Sequence, residues 1–154
     1  MTDLQPGDTA PAFTVNDQNG NKVSLKDFKG KKVVLYTYPK DSTATCTVEA
    51  CNVRDNYKEL TDRGIVVLGV SPDDEASHKK FEKKNNLPFT LLADPKMKIL
   101  APYGVYGEKQ MFGNKYMGIF RRTFLINEKG KIDHIIRQVK SNAHVNQIIT
   151  TWGL

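Results

Sequence analysis

Cys46 and Cys51 are the only cysteines in the chain, and they follow directly on the run Pro39-Lys40-Asp41-Ser42-Thr43-Ala44-Thr45. The attacking form of cysteine is the thiolate, and a free thiol with a pKa of about 8.5 is mostly protonated near neutrality. The first turn of a helix presents unpaired N–H groups and a partial positive charge, and both favour the anion. A nearby arginine would act in the same sense. Without such surroundings a free cysteine is simply a small buried residue. Thiol redox chemistry is therefore a question of which elements surround Cys46.

Those elements follow from the apolar pattern. Val33-Val34-Leu35-Tyr36-Thr37-Tyr38 is β-branched or aromatic apart from Leu35, without alternation, as in a strand buried on both faces, and it leads straight into the cysteine-bearing segment. Residues 65–70 have the same character, and residues 89–92 form a shorter candidate. Residues 119–126 and 132–139 are expected to pair across Glu128-Lys129-Gly130. Near the start, residues 13–15 and 22–24 flank Asn19-Gly20, a turn pair suited to a hairpin because both residues tolerate positive φ. Helices are expected over residues 44–60, 74–85, 96–101 and 143–152. In the last of these, Val145, Ile148, Ile149 and Trp152 share one face, with Trp152 plugging the helix into the core. Strands alternating with helices predict an α/β domain whose sheet has parallel members and helices on both faces.

The first helix carries the chemistry. Cys46, Ala50, Val53, Tyr57 and Leu60 recur at i, i+4, i+7, i+11 and i+14, so Cys46 heads a single apolar stripe. Cys51 lies about 140° around the axis, with its Cα about 8.7 Å from that of Cys46. A disulfide requires no more than about 7 Å. The two sulfurs can join only if the first turns unwind, and helix ends open at low cost. This spacing suits a switch better than a static crosslink, and it differs from C-x-x-C.

The remaining composition narrows the field. At 154 residues the chain is expected to be one domain, 1–154. No apolar stretch approaches the ~20 residues of a membrane span. Residues 1–6 lack both a positive and an apolar region, so no secretory leader is expected. The expected setting is the reducing cytoplasm, where cysteines are thiols or a transient pair. The net charge of +6 is spread from Lys22 to Lys140, and the cluster Lys79, Lys80, Lys83, Lys84 has only Phe81 as an aromatic neighbour. No nucleic-acid recognition motif accompanies it, so it is read as a solvated helix face. Encounter with an acidic protein is the modest functional alternative. His78, His134 and His144 have no ligand spacing, and no metal site is expected. Asp73-Asp74-Glu75 reads as acidity at a helix start.

Pro39-x-x-x-Thr43-x-x-Cys46 resembles the peroxiredoxin active-site pattern. The longer stretch, Tyr36-Thr37-Tyr38-Pro39-Lys40-Asp41 with Cys46-Thr47-Val48-Glu49-Ala50-Cys51 and Arg54-Asp55, is similar to the bacterioferritin-comigratory (PrxQ) branch. The likeness runs from Gly7-Asp8-Thr9-Ala10-Pro11-Ala12-Phe13 through Phe89-Thr90-Leu91-Leu92-Ala93-Asp94 and Tyr103-Gly104-Val105-Tyr106-Gly107-Glu108-Lys109 to Arg121-Arg122-Thr123-Phe124-Leu125-Ile126. It implies a thioredoxin-like fold, with a central mixed β-sheet flanked by helices and an N-terminal β-hairpin.

It also implies a thiol peroxidase that uses no metal, flavin or haem. The cysteine matching Cys46 attacks hydrogen peroxide or an organic hydroperoxide and becomes a sulfenic acid. The one matching Cys51 resolves it as an intramolecular disulfide, and thioredoxin or a similar dithiol reduces that bond. Thr43 matches the hydroxyl that positions peroxide and thiolate, and Arg121 the arginine that favours the thiolate. Pro39 matches the shield of the sulfur, and Glu49 a supporting anchor in the same helix. Because neighbours on a strand face opposite ways, only one of Arg121 and Arg122 can reach the sulfur, and the pattern favours Arg121. Ala44-Thr45 stands where the branch usually has Pro-Gly, from which an altered rate or substrate range is expected. A monomer is expected, with a dimer as the alternative. The competing functional reading is a peroxide-sensing switch that relays oxidation to a partner and turns over little.

Overall fold

The computed structural model describes residues 3–154. Met1 and Thr2, with which the leader-free reading begins, lie outside the described residues. The apolar run becomes β3 (Lys32–Thr37), paired parallel to β4 (Ile65–Ser71) and antiparallel to β8 (Arg122–Ile126). From Val33 to Thr37 no residue is more than 1% exposed, as the lack of alternation requires of a central strand. β5 (Thr90–Ala93) continues the parallel set beyond β4. β9 (Ile132–Ile136) closes one edge beside β8. The hairpin of β1 (Thr14–Asp17) and β2 (Lys22–Ser24) closes the other, giving the order β2-β1-β5-β4-β3-β8-β9. This is the mixed sheet of a thioredoxin-like fold.

Asn19-Gly20 does not form the hairpin as a pair. Gly20 alone has a left-handed φ, +79°, while the Asp17 carboxylate accepts from the N–H groups of Asn19 (2.8 Å) and Asn21 (3.0 Å). An aspartate organising its own turn has taken over half the work assigned to asparagine.

The cysteine helix is two helices, α1 (Ala44–Asp55) and α2 (Tyr57–Thr61), separated by Asn56 at φ −118°. The stripe survives the break, with Cys46, Ala50, Val53 and Leu60 all buried. The side chain of Asn52 bridges α1 to the chain around α4 (His144–Trp152), donating to Asn142 O (3.1 Å) and accepting from Val145 N (2.9 Å). α3 (Glu75–Asn85) starts at Asp74, whose carboxylate accepts from Ser77 N.

Two expectations about the layers are corrected. The helices do not cover both faces. Cys46, Ala50 and Val53 of α1, Phe81 of α3, and Val145 and Ile148 of α4 all pack with Val34, Tyr36, Val67 and Leu125 on one side. The other side, with Val33, Leu35, Leu68 and Phe124, is covered by Phe13, Ile99, Leu100, Tyr103 and Val105 from turns and the N-terminal segment. Nor is 96–101 a helix. Met97 takes φ +59°, and the buried Asp94 carboxylate gathers the amides of Lys98, Ile99 and Leu100 at 2.7–2.8 Å. A left-handed residue interrupts the winding, and an aspartate supplies the hydrogen bonds the helix would have made. The expected strand over 119–126 is also divided: Ile119 ends β7 (Asn114–Ile119), which forms a separate hairpin with β6 (Tyr106–Met111). No helix among the described residues is long and apolar enough to cross a membrane.

Candidate functional site

The path from β3 into α1 is fixed by charge. Asp41, 6% exposed, accepts hydrogen bonds from Tyr38 Oη (2.6 Å), Ser77 Oγ (2.8 Å) and His78 Nδ1 (2.7 Å). Its own N–H donates to Asp73 Oδ2. The other nitrogen of the fully buried His78 faces Leu92 O at 2.9 Å. Both ring nitrogens therefore meet acceptors, which assigns an imidazolium paired with the Asp41 carboxylate. Burial opposes the charge on His78, but the hydrogen bond and charge of Asp41 outweigh it and raise its pKa. Asp41, Asp73 and His78 offer ligand atoms within 4.8 Å of one another. Those atoms are already engaged with each other and with Ser71, Ser77 and Tyr38. The cluster serves as a clamp on the loop. Ser42, next in line, is held at φ +64°.

Thr43 caps α1 in extended geometry (φ −76°, ψ 156°), and the first helical bond runs from Thr47 N to Thr43 O. The amides of Ala44, Thr45 and Cys46 precede that bond and are free of intrahelical partners. The Thr43 hydroxyl is exposed and donates to Lys40 O (3.1 Å). Cys46, 2% exposed, points inward from this first turn.

Arg121, between β7 and β8, meets it there. Nη2 donates to Cys46 Sγ at 3.2 Å, and Nη1 donates to Glu49 Oε1. Glu49 lies one turn beyond Cys46 and is fully buried. Burial pushes its carboxyl up to about 7, against the opposing charge and hydrogen bond of Arg121. Arg122 points elsewhere, to Gly104 O and across the Phe120 ring. Arg121 lies just before β8 and Arg122 is its first residue, and the two side chains reach different partners.

Behind Glu49 stands a residue that sequence reasoning set aside. His144, the first residue of α4, is fully buried, with Nε2 2.8 Å from Thr123 Oγ1 and Nδ1 3.4 Å from Glu49 Oε2. Burial, and then the charge of Arg121, push its pKa down to about 3, so the ring is neutral. Its partners come from β8 and α1, and no local spacing could have signalled them.

Cys51 belongs to a different face. It is partly exposed, with Sγ 3.8 Å from Asn85 Oδ1 at the end of α3, and Arg54 Nη1 holds Asn85 O (2.7 Å) beside it. Both cysteines are free thiols. Pro39 is half-buried and lines a groove with Pro72, Tyr106, Met117 and Ile119. Of the expected residues, the structure gathers Cys46, Glu49 and Arg121 into one constellation. Thr43 stands at its exposed lip, Pro39 lines the groove with Pro72 and Ile119, and Cys51 faces the end of α3.

A sequence model of the AhpC/TSA family matches residues 6–135. The chain is similar to the putative peroxiredoxin bcp of Coxiella burnetii, with 47% identity over 146 residues, 95% of this chain and 97% of that one. It is also similar to peroxiredoxin Bcp of Escherichia coli K12, with 43% identity covering 99% of this chain and 97% of that one. A crystal structure of a cysteine-to-serine variant of PrxQ from Xylella fastidiosa superimposes with a TM-score of 0.92 at 28% identity, covering 99% and 98% of the two chains. A structure of the Xanthomonas campestris bacterioferritin comigratory protein, described in terms of its alkyl peroxide reduction activity, superimposes with a TM-score of 0.86 at 30% identity over 92% and 90%.

Proposed function

From the membership of this chain in the AhpC/TSA family, among its peroxiredoxin Bcp/PrxQ proteins, we propose that it is a thiol peroxidase whose reaction begins at Cys46 and is resolved by Cys51. The observation that carries this reading is the 3.2 Å hydrogen bond from Arg121 Nη2 to Cys46 Sγ at the amino end of α1. The Cys46 thiolate attacks one peroxide oxygen. The S–O bond forms as the O–O bond breaks, and the leaving oxygen departs as water or alcohol once protonated. Negative charge builds on that oxygen, so a guanidinium and free helix amides set in place beforehand stabilise the transition state most. Alignment of sulfur with both oxygens adds an orientational contribution. Thr43, at the open lip, exchanges its bond to Lys40 O for one to the peroxide, Pro39 screens the sulfur, and Glu49 holds Arg121.

The Cys51 thiol then attacks the sulfenic sulfur, forming the disulfide and releasing water. This requires the start of α1 to unwind, and among the described residues the Cys51 thiol has one hydrogen bond to give up, to Asn85. Thioredoxin or a similar dithiol returns both thiols. An intramolecular disulfide needs no second chain, so a cytoplasmic monomer suffices, and no cofactor enters the cycle. Hydrogen peroxide and organic hydroperoxides are the substrates, the latter consistent with the alkyl peroxide activity named for the Xanthomonas relative.

Intact mass after one equivalent of peroxide tests the assignment. The native chain loses two hydrogens, Cys51→Ser gains one oxygen, and Cys46→Ser is unchanged. With thioredoxin, its reductase and NADPH, the native chain consumes many equivalents. Consumption that stops near one equivalent identifies a sensor instead, and turnover in Cys46→Ser refutes the proposal.

A further inference from the structure

Glu49 Oε2 and His144 Nδ1 are buried polar atoms without a hydrogen-bond partner among the described residues, and they face each other at 3.4 Å. Burying two such groups unsatisfied is costly, and a small approach would satisfy both. The rest of the ring is already committed. Nε2 is 2.8 Å from the hydroxyl of the fully buried Thr123, and the Tyr36 ring stands edge-on at 5.3 Å between centroids, fixing the imidazole plane.

Two proton arrangements are open to a neutral imidazole here. If Thr123 donates to Nε2, the ring carries its proton on Nδ1 and offers it to a Glu49 carboxylate. If Nε2 donates to Thr123, the Nδ1 lone pair faces Oε2, and only a protonated Glu49 can occupy that place. The second arrangement discharges the partner of Arg121. With its pKa near 7, the carboxyl is close to its midpoint at neutrality, so a single hydrogen bond decides its charge. The groups facing this pair are Cys46 on α1, Tyr36 on β3, and Arg121 and Thr123 before and within β8.

We propose that His144 is a positioning residue for the peroxidase reaction: it donates from Nδ1 to Glu49 Oε2, and so keeps the carboxylate that holds the Arg121 guanidinium against Cys46 Sγ. Thr123 fixes the tautomer. The chain Thr123–His144–Glu49–Arg121–Cys46 thus links the start of α4 to the reacting sulfur. The proposal rests on the reading of Cys46 as the attacking thiol.

The test uses alkylation of Cys46 by iodoacetamide across pH in the full chain carrying Cys51→Ser, which reports thiolate without requiring peroxide turnover. His144→Leu removes the donor, and its alkylation profile should move upward by about one pH unit, an approximately ten-fold loss of rate on the rising limb of the profile. His144→Asn, whose amide nitrogen can stand in for Nδ1–H, should restore most of the rate. Thr123→Val should move the profile in the same direction by less. A folded His144→Leu protein with the parent profile overturns the proposal. Should His144→Leu fail to fold, an unmoved profile in Thr123→Val overturns it equally. A purely structural histidine would change melting temperature and leave the profiles superimposed. An unreactive Cys46 in the parent overturns the peroxidase reading along with this one, whereas a reactive parent with unmoved variants overturns this one alone.

Discussion

Cys46 is 2% exposed and receives a hydrogen bond from a guanidinium itself tied to a buried carboxylate, whereas Cys51, on the same helix, is partly exposed and reaches only Asn85 Oδ1 at 3.8 Å. One sulfur is fixed by a guanidinium from the link before β8, which is itself tied to a carboxylate on the sulfur's own helix. The other is attached by a single long contact, weak by the standards of a sulfur donor. The difference suits the two tasks proposed for them: the attacking atom must be aligned before peroxide arrives, and the resolving atom must be able to leave.

The strongest way to break this comparison is to exchange the roles. Cys46→Ser should abolish peroxide consumption, while Cys51→Ser should keep a full first turnover and lose every later one with thioredoxin, as followed by stopped-flow and coupled NADPH oxidation. Equal losses in the first turnover would erase the distinction. Next in size, Arg121→Met should lower the rate constant with peroxide by about 10²–10³-fold, the usual effect of removing one donor to a developing oxyanion. Alkylation of Cys51 in that variant should match the wild type.

The buried acid and base behind Cys46 make a prediction about stability. Glu49, raised to about 7, favours the folded state below its ordinary range, and that contribution is lost as pH rises through 7. His144, lowered to about 3, contributes stability above its ordinary pKa that is lost as pH falls toward 3. Between roughly pH 4.5 and 6.5 the two slopes oppose each other. Glu49→Gln should uncover a stability that rises with pH by about 1.4 kcal/mol per unit in this window, and His144→Asn a fall of similar size. Urea melts across pH measure both, and parallel curves for the three proteins would show that neither group titrates as described.

The smallest effect concerns the start of α1. Ala44 occupies the first helical position, exposed, after a residue already in the extended conformation that a following proline requires. Ala44→Pro should stabilise the protein by about 0.4–1 kcal/mol. It should slow disulfide formation about two- to five-fold by making unwinding costlier. Quench-flow mass measurement separates the steps, and an unaltered disulfide rate would mean that α1 does not unwind from this end.

Much of this was legible in the sequence because it is local. β3, β4, α3 and α4 carry patterns that fix burial within one element, and Cys46 at the head of an apolar stripe follows from 3.6-residue periodicity. The choice of Arg121 over Arg122 comes from the family pattern, because Arg121 precedes β8 and strand alternation does not reach it. What was not legible depends on distant partners or unusual backbone. The β6–β7 hairpin turns through Phe112-Gly113 with both φ positive, yet it lacks the Asn-Gly or Asp-Gly signature, and its strands are largely exposed, so no alternation marks them. Residues 96–101 carry helical composition but are bent by Asp94 and Met97. His78 and His144 are both buried, but their pKa values move in opposite directions, because Asp41 outweighs burial at His78 while burial, reinforced by Arg121, prevails at His144, which spacing along the chain does not record.

The Asn52 bridge gives the unwinding step a boundary. Cys51 is the last residue before a side chain that grips both the backbone at Asn142 and the amide of Val145, and the helix axis is interrupted soon after at Asn56. A melting front that starts at Thr43 and releases the two sulfurs meets a firebreak there. In the proposed cycle the downstream third of α1 would stay docked as a template, so reduction would only have to rewind a short thread onto a spool that never left its seat.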